Sequence, residues 1–274
     1  MSRTLAGRTL LMSGGSRGIG LAIALRAAQD GANVALLAKT AEPHPRLEGT
    51  VHTAAEQIET AGGQALAIVG DVRDDESVAA AVAATVERFG GIDVVVNNAS
   101  AIDLSRTADL SMKRYDLMQH INTRGSFLLA KTALPHLRAS SAAHILTLSP
   151  PINLDPRWAG AFLGYTIAKY GMSLVTLGLA EELRADAIAA NSLWPRTTIA
   201  TAAVGNLLGG DALLARSRSP RIMADAAHAV LTRDPRECTG CFFIDDEVLA
   251  EEGVTDLSGY GGGDDPALDL FLDA

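Results

Sequence analysis

Ser13-Gly14-Gly15-Ser16-Arg17-Gly18-Ile19-Gly20 stands between two apolar stretches of different character. Before it, Thr9-Leu10-Leu11-Met12 reads as a short buried strand. After it, Leu21-Ala22-Ile23-Ala24-Leu25-Arg26-Ala27-Ala28 reads as a helix. The glycines therefore lie in a strand-to-helix turn. Gly14, Gly18 and Gly20 remove side chains where the backbone turns tightly and approaches a ligand. The helix then offers unpaired N–H groups and the positive end of its dipole, a site suited to a pyrophosphate. The spacing is G-x-x-x-G-x-G, and the alternative to a phosphate cradle is a glycine-rich turn without a ligand.

Outward from this turn, strand-like and helix-like segments alternate. Strands are expected over 33–38, 65–69, 93–97, 144–148, 187–194 and 240–244. Helices are expected over 51–61, 76–89, 111–137, 161–183 and from Pro220 to Leu231, the last with Ser219 as N-cap. Strands apolar on both faces, each separated by a helix, imply a parallel sheet covered on both sides. The expected fold is a single doubly wound (Rossmann) α/β domain, a seven-stranded parallel sheet over residues 1–246. Ligands then bind at the carboxyl ends of its strands. Residues 247–274 form an acidic tail ending in the apolar Leu268, Leu270, Phe271 and Leu272, expected to pack on the domain or on a neighbouring subunit.

The chain has 274 residues, 48% of them hydrophobic, and a net charge of −9. That charge, with no basic cluster, argues against nucleic acid as a partner. Two cysteines and no secretory signal point to a reducing, cytoplasmic setting. No run of about 18 apolar residues spans a membrane. His44 and His52 lack a third ligand, so no metal site is expected. Cys238-Thr239-Gly240-Cys241 has redox spacing but runs into a strand, not a helix N-terminus, which argues against a reactive thiol.

The residue after the second strand meets the adenosine ribose in a dinucleotide fold, where an acid suits the 2′-hydroxyl and a base the 2′-phosphate. Here Ala38-Lys39-Thr40 offers a lysine, and Arg17 reaches the same place, so NADP(H) is favoured over NAD(H). Asp71 and Val72, after the third strand, are expected at the adenine.

Tyr165 and Lys169 stand four apart on one helix face. A nearby ammonium favours the phenolate over the phenol, whose ordinary pKa is about 10, which makes Tyr165 a general acid/base for a carbonyl or alcohol. With the glycine turn, this pair makes the chain resemble the short-chain dehydrogenase/reductase family over about residues 7–246. Asn97-Asn98-Ala99 matches that family's N-N-A-G element, with Ser100 where glycine is usual. The resemblance implies several roles. Hydride transfer takes place at a nicotinamide, with Lys169 on its ribose and Asn98, Ala99, Pro195 and Thr198 near the cofactor. Asn122 anchors a proton-relay water. The substrate is apolar, and the assembly is a homodimer or homotetramer built on the helices 111–137 and 161–183. A narrower likeness, carried by stretches such as Ser149-Pro150-Pro151 and Leu193-Trp194-Pro195, is to a subgroup whose longer form adds a sterol-carrier domain; no such module is expected here.

Two departures stand out. Pro150 falls where the family has its catalytic serine, and Ser149, one residue earlier, is the candidate substrate-polarising donor. If Ser149 only ends its strand, the alternative is a weakly active or inactive NADP(H)-binding module. Arg196 replaces the usual glycine after Pro195 and either binds an anionic substrate group or points outward.

Overall fold

The structure, a computed structural model, describes residues 3–43 and 48–273; His44 lies outside them. Seven strands form one parallel sheet: β1 (Thr9–Ser13), β2 (Asn33–Ala38), β3 (Gln64–Val69), β4 (Val94–Asn97), β5 (His144–Thr147), β6 (Ala189–Trp194) and β7 (Phe242–Ile244). Their order is β3-β2-β1-β4-β5-β6-β7. In register, Leu11 lies between Ala35 and Val95, and Val95 is followed by Ile145 and Ala190. Alternate residues feed opposite cores because successive strand side chains point to opposite faces. Leu10, Met12, Val34 and Leu36 enter one core, and Leu11, Ala35, Leu37 and Val95 the other.

The first core is covered by α1 (Gly18–Gln29), α2 (Val51–Thr60) and α9 (Arg221–Leu231). The second is covered by α3 (Asp75–Phe89), α5 (Gly125–Leu137) and α7 (Leu163–Glu182). The remaining helices are α4 (Met112–Met118), α6 (Pro156–Ala161), α8 (Gly210–Ala215) and α10 (Asp245–Glu251). Strand order reverses between β1 and β4, which opens a crevice at their carboxyl ends.

Several boundaries differ from expectation, each for a local reason. The helix expected over 111–137 carries a π-helical turn at Gln119–Arg124 between α4 and α5. The helix expected from 161 starts at Leu163, because Phe162 adopts φ −155° and ψ 65°. Strand β6 starts at Ala189 because Ala187 is left-handed, with φ 55°. Pro220, not Ser219, is the N-cap of α9, and Ser219 Oγ accepts a 3.4 Å hydrogen bond from Arg221 N–H.

After β7 the chain continues without a break into α10. It then returns across the carboxyl end of the sheet. Tyr260 Oη donates to Asp225 at 2.8 Å, Leu268 bridges Thr197, and Trp194 Nε1 donates to Leu270 O at 2.9 Å. Phe271 is fully buried. Among the described residues no helix is long and apolar enough to cross a membrane, and no group of three or more His, Cys, Asp or Glu is placed to hold a metal ion.

Candidate active site

The glycine turn builds one wall of a cleft of about 1100 Å³. Gly14 has φ +76°, and a Cβ there would lie 2.9 Å from Ala99 Cα, so a side chain fits neither its conformation nor its space. Gly20 serves packing: a Cβ would lie 2.5 Å from Asn98 Nδ2. That amide donates to Ser13 O at 3.1 Å and Gly14 O at 2.8 Å, tying β4's end to the turn. Arg17 caps α1 with backbone only, which leaves the first-turn N–H groups facing the cleft. Gly14, Ser16, Arg17, Gly18 and Ile19 line the cleft from the turn, Lys39, Asp71 and Val72 from the ends of β2 and β3, and Asn98 and Ala99 from the end of β4. The volume, the bare helix N-terminus and the glycine approach fit a dinucleotide with its diphosphate at α1.

The two cations expected at the ribose are both engaged. Arg17 donates to Glu48 O and Gly49 O at 2.8 and 2.6 Å, so it fastens the loop before α2. Lys39 Nζ lies 3.1 Å from Asp71 Oδ2, with the lysine side chain 60% exposed. Arg73 forks onto the same carboxyl. Hydrogen bonds from Arg73, opposed by burial and aided by Lys39, hold Asp71 well below the usual carboxylate range. Pro195 and Thr198 are not on the cleft wall. Pro195 is buried, and Thr198 Oγ1 pairs with Ser217 Oγ at 2.7 Å while its N–H donates to Ala267 O. Thr201 lines the cleft instead.

Tyr165 and Lys169 lie on the inner face of α7, 5% and 3% exposed. Lys169 Nζ donates to Leu148 O at 2.7 Å and sits 4.9 Å from the Trp194 ring centroid. Burial pulls its pKa down to about 7, against the opposing carboxyl of Asp269. Burial pushes the Tyr165 phenol above its ordinary value, Asp269 adds to the rise, and the Ser100 side chain opposes it. The lowering expected from Lys169 does not act on the phenol here, where burial governs. Asp269 reaches this point from the C-terminal segment, and its own carboxyl, raised mainly by burial, sits at about 7. Around Tyr165 stands an aromatic cluster in which Phe271 touches Trp158, Phe162, Tyr165, Tyr170 and Trp194 with ring centroids 5.2–6.1 Å apart.

The other two expected catalytic residues sit differently. Ser149 Oγ lies 2.8 Å from Ser192 Oγ, which donates to Thr176 Oγ1 at 3.2 Å. Thr176 is three helical turns, about 16 Å, along α7 from Tyr165. The Ser149 hydroxyl thus points into the packing between sheet and helix, and the role expected of it is corrected on that ground. Asn122 lies in the π-helical turn with both ends of its side-chain amide on Ala101: Oδ1 accepts from Ala101 N–H at 2.8 Å, and Nδ2 donates to Ala101 O at 3.0 Å. It clamps the loop after β4. Arg196 turns outward to Asp246 and Glu247 in the first turn of α10. Both cysteines are free, and burial raises the Cys238 thiol. Ser100 and Asp269 had no assigned role in the sequence; the serine was visible there only as a substituted glycine, and nothing local marked the aspartate.

A family model of short chain dehydrogenases matches residues 8–208. Hydroxysteroid dehydrogenase-like protein 2 of Xenopus laevis is 54% identical over 271 residues, which cover 98% of this chain and 64% of that protein; the human protein of that name is 51% identical over the same span. The chain thus spans just under two thirds of the length of these curated relatives. A solved structure from Xanthomonas campestris superposes with a TM-score of 0.95 at 59% identity, covering 99% of this chain and all of that one. A short chain dehydrogenase from Mycobacterium thermoresistibile gives 0.94 at 57%, covering 99% and 97%. The chain belongs to the short-chain dehydrogenase/reductase family of NAD(P)-dependent oxidoreductases.

Proposed function

We propose that the protein interconverts a hydroxyl and a carbonyl on an apolar, lipid-derived substrate, with NADP(H) preferred over NAD(H). The observation that carries this reading is the pair of Tyr165 and Lys169 side by side on the inner face of α7, in a short-chain dehydrogenase fold whose cleft is walled by the glycine turn. A nicotinamide dinucleotide bound in that cleft supplies or accepts the hydride. Gly14, Ser16, Gly18 and Ile19 would hold its diphosphate, and Lys39 and Arg17 its 2′-phosphate. Tyr165 gives the proton to the forming hydroxyl in reduction and takes it in oxidation. Lys169, fixed by Leu148 O, keeps a titratable cation on the same helix face. The aromatic ring of Trp158, Phe162, Trp194 and Phe271 suits an apolar substrate, and the name of the vertebrate relatives points the same way. Phe127 on α5 and Leu174 and Leu177 on α7 are 46–58% exposed and supply apolar outer faces for a dimer or tetramer.

The test is NADPH consumption with a panel of ketones, aldehydes and 3-oxoacyl thioesters. Tyr165→Phe is expected to lower kcat by roughly 10²–10⁴-fold, the usual contribution of a positioned acid. A second reading, cofactor binding without turnover, is favoured by one observation: Ser149 faces the core and Pro150 brings no hydroxyl. It prevails if wild type binds NADPH tightly and consumes none across the panel.

A further inference from the structure

The phenol and ammonium of α7 have to meet a nicotinamide and a substrate, yet neither Tyr165 nor Lys169 lines the cleft. Tyr165 is only 5% exposed, which leaves it almost no surface on which to receive a substrate. Part of its cover comes from a distant stretch of chain. Phe271 is fully buried with its ring centroid 6.1 Å from that of Tyr165, and it fills the space between Trp158, Phe162, Tyr170 and Trp194.

The segment that carries Phe271 is held by a short series of bonds. Thr198 N–H donates to Ala267 O at 2.8 Å, Asp269 N–H donates to Arg196 O at 3.0 Å, and the Trp194 indole donates to Leu270 O at 2.9 Å. At its far end Asn153 Nδ2 donates to Phe271 O at 3.3 Å and to Asp273 Oδ2 at 3.0 Å, and Arg157 pairs with Asp273. Asn153 and Arg157 lie between β5 and α7, so this latch ties the segment to the chain just ahead of Tyr165. Two features oppose the closed arrangement. Phe271 has φ +71°, a left-handed conformation that is costly for a residue with a side chain. Trp158 Nε1 is buried with no hydrogen-bond partner among the described residues, and such an orphaned donor also disfavours the state that buries it. Upstream, Gly261 and Gly263 combine positive φ with open space where a Cβ would stand, two points about which the segment can turn.

We propose that residues 264–273 are a strap over the substrate site, with Phe271 as its plug, and that the apolar part of the substrate takes the place of the Phe271 ring when the strap lifts. This rests on the carbonyl–alcohol reading above. The space the plug leaves is walled by aromatic rings, so it takes a hydrocarbon ring or an acyl chain. Lifting also frees the Tyr165 phenol, releases the left-handed residue and uncovers the Trp158 N–H.

The test compares wild type with Phe271→Ala, which removes the plug, and Asp273→Ala, which loosens the latch and alters no ring of the cluster. The first measurement needs no turnover. Hydrogen exchange read by nuclear magnetic resonance follows three N–H groups bonded across the strap: the Thr198 amide, the Asp269 amide and the Trp194 indole. A strap that lifts as a unit gives all three one common protection, well below that of the β5 amides. Asp273→Ala is expected to speed all three together by about twofold to fivefold, the scale of one exposed ion pair, and to leave β5 unchanged. The second measurement is turnover of acetophenone with NADPH. A ligand that binds only the open form loses affinity in proportion to the closed fraction, so both variants are expected to lower KM, by about twofold to fivefold in Asp273→Ala and about tenfold in Phe271→Ala. A Phe271 that merely supports the site gives the opposite sign, a raised KM with a lowered kcat, and that result overturns the proposal. So do strap N–H groups that exchange as slowly as β5 and do not respond to Asp273→Ala. Should Phe271→Ala fail to fold, Asp273→Ala carries the kinetic arm. If wild type turns over no ketone of the panel, the carbonyl–alcohol reading fails and the exchange rates alone decide the strap, so the two failures are distinguishable.

Discussion

At the scale of single residues, charge placement carries the proposed preference for NADP(H). Lys39 is half free: its ammonium lies 3.1 Å from Asp71, yet Arg73 already forks onto that carboxyl. Asp71 keeps a partner if Lys39 moves to a 2′-phosphate, so the exchange leaves no charge unpaired. Lys39→Ala is expected to weaken NADPH binding about tenfold, the scale of one charge-assisted hydrogen bond, and to leave NADH binding nearly unchanged. Fluorescence titration with both nucleotides reads the ratio; an undiminished preference for NADPH removes Lys39 from the phosphate site. Residues differ in how plainly their sequence speaks. Tyr165 and Lys169 were legible because helical spacing alone puts them on one face. Ser149 was not, because a side chain just past a strand end takes its direction from where the ladder stops. Here Ser149 N–H turns back to Thr147 O at 2.9 Å, ahead of Pro150 and Pro151, and the hydroxyl goes inward.

Elements were legible in proportion to how local their causes are. The strands read correctly because each is apolar on both faces, a pattern that only a doubly covered sheet accommodates. The π-helical turn did not, because Asn122 is held there by Ala101, twenty-one positions earlier. Helix α10 was also missed, since its first turn of Asp245, Asp246 and Glu247 resembles an acidic tail; Arg196 neutralises part of it across the fold. The β1–α1 connection had the strongest local signal and gives the sharpest prediction at this scale. Gly14→Ala forces a left-handed residue to carry a Cβ 2.9 Å from backbone at Ala99. The turn must shift, and strain of about 1–3 kcal/mol is expected. Isothermal titration should show NADPH affinity lowered at least tenfold, with far-ultraviolet circular dichroism unchanged. Wild-type affinity in this variant would mean that the close approach of turn and β4 is not needed for the nucleotide.

Across the whole molecule, long-range ties that no window of sequence displays join distant parts of the chain. The C-terminal segment delivers Phe271 and Asp269 to Tyr165 and Lys169, about a hundred residues away. Near the start of the chain, Arg3 pairs with Glu252 beyond α10. Asp30, at the end of α1, is the firmest of these ties. Its carboxylate accepts from Leu5 N–H at 2.8 Å and Arg26 Nη1 at 2.9 Å, and His228 Nε2 of α9 lies 2.8 Å away. Burial alone would raise its pKa, but the Leu5 N–H, His228 and Arg26 outweigh burial and hold it well below the usual carboxylate range. The folded chain therefore stays deprotonated at Asp30 where the unfolded chain takes up a proton, near pH 4. Its contribution is fully present above that pH and is lost as the pH falls toward the folded value. Asp30→Asn removes the charge and keeps the shape. At pH 7 the variant is expected to unfold with on the order of 2–3 kcal/mol less stability than wild type in urea titrations, and the gap should shrink steadily below about pH 4. A gap that stays constant down to pH 2.5 would assign the loss to shape and packing, and the carboxylate would then not be what fastens Leu5 and α9 to α1.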